Sequence, residues 1–182
     1  MENKVFYLTG FMGAGKSTIG PILAETLGWD YYDLDEIIEE KLGMKIADIF
    51  EERGEKFFRD NEKKFLQELA KNSNTIVSLG GGTMANQYNL KFLKDSGTII
   101  YLKASIDSLY KRLELEKNRP KLKLPEGKFS KEKLTERITE LYKAREKFYN
   151  QSDFVIETDS ASIVSIVDKI AKIIEGRKKI ST

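Results

Sequence analysis

Nine residues, Gly10-Phe11-Met12-Gly13-Ala14-Gly15-Lys16-Ser17-Thr18, fit the spacing G-x-x-x-x-G-K-[ST] directly behind an apolar run at 5–8. Glycines at this spacing let successive backbone N–H groups turn inward on a phosphate, and a helix starting there adds its positive end to the same anion. Lys16 would reach the β- and γ-phosphates and the Ser17 hydroxyl would ligate Mg²⁺, while Gly13, Ala14, Gly15 and Thr18 complete the cradle. The pattern predicts a nucleotide site, against the plainer alternative of a glycine-rich turn that binds nothing.

Further candidates lie downstream. Asp33-Leu34-Asp35 follows a second apolar run at 31–32, at the carboxyl end of an expected strand, which is the rim where open α/β sheets bind ligands. In an extended segment alternate side chains share a side, so one carboxylate would face the Mg²⁺ hydration shell and the other an acceptor hydroxyl. Asp35 equally suits the N-cap of a helix over 36–42. Gly80-Gly81-Gly82 follows the run 76–79. Three glycines cost chain entropy; they would admit a small anion to backbone N–H groups, or form an ordinary tight turn.

Arginines supply the remaining chemistry. Arg59 with Glu62 is either a solvated i,i+3 pair worth a few tenths of a kcal/mol, or a guanidinium oriented by a carboxylate to clamp a substrate acid. Arg145 would be a second clamp. Arg119, fixed by Pro120, would reach the phosphates when its segment closes and stabilise charge during phosphoryl transfer. Arg112 would stack on an adenine.

Elements able to position these residues are legible. Apolar runs at 5–8, 31–32, 76–79, 98–102 and 154–156 alternate with stretches of helical spacing, which predicts an α/β fold with a parallel sheet covered on both faces. Helices are expected over 17–27, closed by Gly28, and over 36–42, 46–53, 55–69, 105–115, 131–151 and 160–176. Pro21 falls inside the first of them, where it removes a backbone bond. Residues 116–130, with Pro120, Pro125, Gly127 and several lysines, read as a lid.

Composition excludes several classes. The 182 residues suit a single domain, 1–182, with a helical insertion at about 34–70. Thirty-one basic against 29 acidic side chains leave +2, so no global charge favours nucleic acid or an anionic membrane. Neither cysteine nor histidine is present. Thiolate chemistry and histidine bases are therefore excluded, and carboxylates, lysine, arginine, hydroxyls and backbone groups must do the work. The first residues run into a strand rather than a signal segment, and no run is long enough to span a bilayer, so the expected location is cytoplasmic and the default state a monomer.

The ordered set of the phosphate loop, Asp33-x-Asp35, Gly43-x-x-Ile46-x-x-Ile49-Phe50, Gly54-Glu55-x-x-Phe58-Arg59-x-x-Glu62, the triple glycine, Arg119-Pro120 and Arg145 resembles that of the shikimate kinases. This resemblance implies a three-layer α/β/α P-loop kinase with a five-stranded parallel sheet of order 2-3-1-4-5, an acceptor-binding helical region and a lid. It also implies ATP and Mg²⁺ as cofactors and phosphorylation of the 3-hydroxyl of shikimate on the chorismate route to aromatic amino acids. By the same resemblance, Lys16 would be the phosphate lysine, Ser17 and Asp33 would serve the metal, and Asp35 would meet the acceptor hydroxyls. Arg59, Arg145 and the backbone near Gly81 would hold shikimate, while Arg119 and Arg112 would serve the nucleotide. Lys121 after Arg119-Pro120, and Glu146-Lys147-Phe148-Tyr149 without a proline, depart from the family pattern. No adenine contact is assigned near 158–162. A gluconate-type sugar-acid kinase and a non-catalytic nucleotide-binding module are the alternatives.

Overall fold

The computed structural model describes residues 5–114 and 131–180. Arg119, Pro120 and the expected lid at 116–130 lie outside the described residues.

Five short strands carry the apolar runs: β1 (Val5–Thr9), β2 (Asp30–Asp33), β3 (Thr75–Ser78), β4 (Thr98–Lys103) and β5 (Phe154–Glu157). They pair in parallel in the order β2-β3-β1-β4-β5, as expected. Every residue of the central strand β1 is buried, because helices cover both faces of the sheet. The chain leaves β1 toward one edge and later passes to its other side at β4, so a crevice opens at the carboxyl end of β1 between β3 and β4. The phosphate loop and the triple glycine follow the two strands that meet there.

Helices α1 (Lys16–Leu27), α2 (Leu34–Leu42), α3 (Ile46–Glu52) and α4 (Gly54–Leu69) precede β3. A 3-10 turn (Thr83–Ala85) and α5 (Gln87–Ser96) follow β3, α6 (Ile106–Leu113) follows β4, and α7 (Lys131–Tyr149) and α8 (Ile163–Ile180) flank β5. Gly28 and Gly43 end α1 and α2 in left-handed conformations at φ 66° and 63°, which glycine adopts without a steric cost. Helix α1 runs unbroken through Pro21. The proline is exposed, whereas Ile19, Leu23 and Ala24 hold the helix to the core, and that packing outweighs the missing bond.

One correction concerns the start of α2. The helix begins at Leu34, and Asp33 is its N-cap, accepting from the Asp35 amide at 3.0 Å. Asp35 is thus neither the cap nor part of an extended segment; it sits in the first helical turn. The two carboxylates are set apart by a strand-to-helix junction rather than by strand alternation. Likewise α8 starts at Ile163, later than expected; Ile163 and Val164 are exposed, while Ile166, Val167, Ile170 and Ile174 pack inward.

Gly20 shows how closely α1 seats on the sheet. A Cβ placed there would lie 2.3 Å from the Tyr31 ring on β2. Gly20→Ala should therefore cost about 1–3 kcal/mol through overpacking. Chemical denaturation of the variant checks this, and an unchanged midpoint would contradict the packing.

Candidate active site

The phosphate loop is a tight backbone ring between β1 and α1. Gly10, Gly13 and Gly15 have φ of 147°, 78° and 103°, a region that side-chain-bearing residues rarely enter. A Cβ on Gly10 would also come within 2.5 Å of the Leu102 carbonyl of β4. Phe11 and Ala14 anchor the loop in the core, while Ser17 and Thr18 face outward at the start of α1. The Lys16 ammonium donates to the carbonyls of Gly10 at 2.9 Å and Phe11 at 3.2 Å, which draws it across the loop.

Beside the loop is a cavity of about 400 Å³, lined by residues 12–19 and by Arg112, Thr158, Ala161, Ile163 and Ile166. Arg112 donates to the Gly13 carbonyl at 2.9 Å and the Thr158 carbonyl at 3.3 Å, so its guanidinium braces the phosphate loop against the segment after β5. Asp159 ties that segment to the N-terminus of α6 by accepting from the Ser105 amide at 2.9 Å. Sequence reasoning assigned nothing here. Thr158 and Ala161 carry no motif, and only their place after the last strand pointed to this rim.

Across the crevice the triple glycine forms a turn in which Thr83 N donates to Gly80 O and Ala85 N to Gly82 O. None of the three has a positive φ. Space is decisive at Gly80 and tight at Gly81. A Cβ on Gly80 would lie 2.6 Å from Asp35 Oδ1; on Gly81, 3.3 Å from Arg145 Nη1 and 3.8 Å from Met12 N; on Gly82, 3.5 Å from Arg59 Nη2 and 4.0 Å from Arg145 Nη2. A carboxylate, two guanidinium groups and the phosphate loop thus converge on one stretch of bare backbone.

Arg59 is fixed by Glu62, which is only 1% exposed and is not part of a solvated pair. Arg59 Nη1 donates to both Glu62 oxygens at 3.1 and 2.9 Å. Thr83 Oγ1 and Asn89 Nδ2 donate to the same carboxylate at 2.9 and 3.0 Å, satisfying a charge that would otherwise be costly to bury. Glu55, an exposed second partner of Arg59, adds little. Phe50 and Phe58 meet as a tilted pair with centroids 4.7 Å apart, and the Arg59 guanidinium lies over the Phe58 ring at 5.2 Å. Thr83 and Asn89 escape sequence reasoning because nothing local distinguishes them.

Arg145 projects from α7 over the Phe11 ring at 5.9 Å. One turn later the buried Tyr149 hydroxyl donates to the Gly81 carbonyl at 2.5 Å. Burial pushes the Tyr149 phenol up to about 12, against the pull of Arg145. On β2, burial and then the Asp33 carboxylate push Tyr31 up to about 12.

Among the described residues no cluster of three acidic side chains suited to a metal occurs. The outward Ser17 hydroxyl at the start of α1 and the Asp33 carboxylate at the carboxyl end of β2 are nonetheless hard oxygen donors on the same rim of the sheet. Mg²⁺, which keeps most of its waters and binds through one or two protein oxygens plus phosphates, fits such a set. No described helix is long and apolar enough to cross a membrane.

A phosphate loop feeding a parallel sheet of order 2-3-1-4-5, with a glycine turn flanked by a carboxylate and two guanidinium groups opposite, defines a P-loop small-molecule kinase. The shikimate kinase family model matches residues 12–175. Shikimate kinases of Chlorobaculum tepidum and Chlorobium chlorochromatii are 42% and 41% identical over 175 residues, covering 96% of this chain and 92% of each relative. The shikimate kinase of Acinetobacter baumannii, solved in complex with shikimate, superposes with a TM-score of 0.85 at 34% identity over 97% of this chain and 95% of that one. That of Bacteroides thetaiotaomicron does so with a TM-score of 0.85 at 33% identity, covering 94% and 98%. The chain belongs to the shikimate kinase family, and it is an ATP- and Mg²⁺-dependent phosphotransferase.

Gly80→Ala should displace the Asp35 carboxylate and lower kcat roughly a hundredfold with nucleotide binding kept; steady-state kinetics and nucleotide titration check this. The raised phenols also set an alkaline limit. Unfolded tyrosine ionises near pH 10, whereas the folded phenols hold their protons to about 12. Their contribution is full below the unfolded value and is lost as the pH rises toward the folded one. Denaturant midpoints from about pH 8 to 12 should fall above about pH 10, less steeply in Tyr149→Phe.

Proposed function

We propose that this chain transfers the γ-phosphoryl group of MgATP to the 3-hydroxyl of shikimate, and that the residues gathered on the rim divide the work. The observation that carries this reading is the glycine turn with the Asp35 carboxylate against one end and Arg59 and Arg145 against the other. A hydroxylated ring bearing a carboxylate fits that arrangement: the acid pairs with the guanidinium groups, and a ring hydroxyl meets Asp35. The turn adjoins the phosphate loop at Met12, so the hydroxyl faces the γ-phosphate.

Backbone N–H groups at Gly13–Gly15, with Thr18, hold the phosphates, and Lys16 swings from its carbonyl partners onto the β- and γ-oxygens. Ser17 and Asp33 are the residues that would hold the metal, Ser17 directly and Asp33 through its waters. A divalent cation held there would supply neutralisation of the phosphate charge during transfer. Asp35 accepts the proton of the attacking hydroxyl as its oxygen bonds to the γ-phosphorus and the bond to the ADP oxygen breaks. Arg112 faces the nucleotide cavity, and Arg119 is assigned to the phosphates on sequence grounds alone. The whole of 1–182 acts as a single kinase domain, with about 34–70 on the acceptor side and 116–130 as lid. Shikimate is the small-molecule partner; a monomer working in the cytoplasm, with neither nucleic acid nor membrane as partner, completes the reading.

ADP release from MgATP with shikimate, gluconate or no acceptor tests it. Shikimate-dependent release, reduced about a hundredfold or more by Asp35→Asn, is expected. Release with gluconate alone would identify a sugar-acid kinase, and nucleotide binding without turnover on any acceptor would identify a binding module.

A further inference from the structure

Helix α7 turns one face toward the crevice. Tyr142, Arg145 and Tyr149 lie three and four residues apart and so project on the same side. Tyr142 shares a hydrogen bond with the Tyr101 hydroxyl at 2.8 Å, and Tyr149 stacks on the Tyr101 ring with centroids 5.2 Å apart. Both tyrosines are buried, and Tyr149 is only 1% exposed. An aromatic wedge of this kind needs no hydroxyl on its last ring. Yet Tyr149 extends its hydroxyl into the glycine turn, onto the Gly81 carbonyl.

That carbonyl and the Gly82 N–H belong to one trans peptide, so they point in opposite directions from a single rigid plane. With glycine on both sides, no Cβ restrains that plane, and rotation of the peptide is cheap unless something holds it. The turn's own bonds engage the amides of Thr83 and Ala85 and leave the Gly82 amide outside them. Gly82 is also the one glycine of the three whose Cβ position would lie within 4 Å of both arginines. We propose that Tyr149 is a positioning residue: by holding the Gly81 carbonyl, its phenol fixes the Gly81–Gly82 peptide so that the Gly82 N–H is presented, beside Arg59 and Arg145, to the acceptor's carboxylate. This rests on the kinase reading above, and it adds that the orientation of the glycine turn's backbone donor is set from α7.

Tyr149→Phe keeps the ring on Tyr101 and deletes only the hydroxyl. Tyr142→Phe is the control, since it removes a buried phenol from the same cluster without touching the turn. In wild type, shikimate-dependent turnover must first be present; its absence would defeat the kinase reading and not this proposal alone. Given turnover, Tyr149→Phe should raise the KM for shikimate about tenfold, with kcat and the KM for ATP within about twofold of wild type. Tyr142→Phe should leave the KM for shikimate within about twofold. An unchanged KM in Tyr149→Phe, or equal rises in both variants, overturns the proposal. So does a Tyr149→Phe protein that melts well below Tyr142→Phe, since the hydroxyl would then be structural.

Discussion

A carboxylate withdrawn from water must be met by donors, and in this molecule that requirement falls on Glu62. Its oxygens take hydrogen bonds from Arg59 on its own helix, Thr83 in the turn after β3, and Asn89 on α5. Three separate pieces of chain are therefore held at fixed spacing by one charge. Removing any donor leaves part of that charge uncompensated, which makes the arrangement stiff. Arg59 consequently arrives at the glycine turn with its direction already set and its second Nη group free of the Glu62 contact. A guanidinium fixed before the substrate arrives loses less freedom on binding it.

The glycine turn is the other half of the same construction. Side chains approach it from α2, α4 and α7: the α2 carboxylate occupies the space that a Cβ on Gly80 would need, Arg145 crowds Gly81, and Arg59 lies at ordinary contact distance from Gly82. The phosphate loop obeys a different rule, because its glycines are required by positive φ as well as by space. The two glycine clusters thus solve separate problems, backbone conformation on the nucleotide side and side-chain access on the acceptor side. The strand order sets both at the mouth of one crevice.

Much of this was legible in the residues. The strands announced themselves as short apolar runs, and Gly28 marked a helix end because glycine adopts the left-handed conformation there without a steric cost. Asp33 and Asp35 were placed on the right rim but in the wrong local geometry, since a cap two residues earlier starts α2 and no periodicity separates those alternatives. The Glu62 partners lie 21 and 27 residues away, on a short turn and a helix that carry no motif of their own. Spacing rules reach one or two helical turns, and contacts made by folding do not register in them. Tyr149 was visible only as a residue four beyond Arg145.

The most direct measurement is calorimetric titration of shikimate and, separately, of MgADP into wild type and Glu62→Gln. If Glu62 pre-sets the acceptor side, shikimate affinity falls about tenfold or more in the variant while MgADP affinity is unchanged. Shikimate affinity equal to wild type, or equal losses for both ligands, would contradict that role for the buried carboxylate.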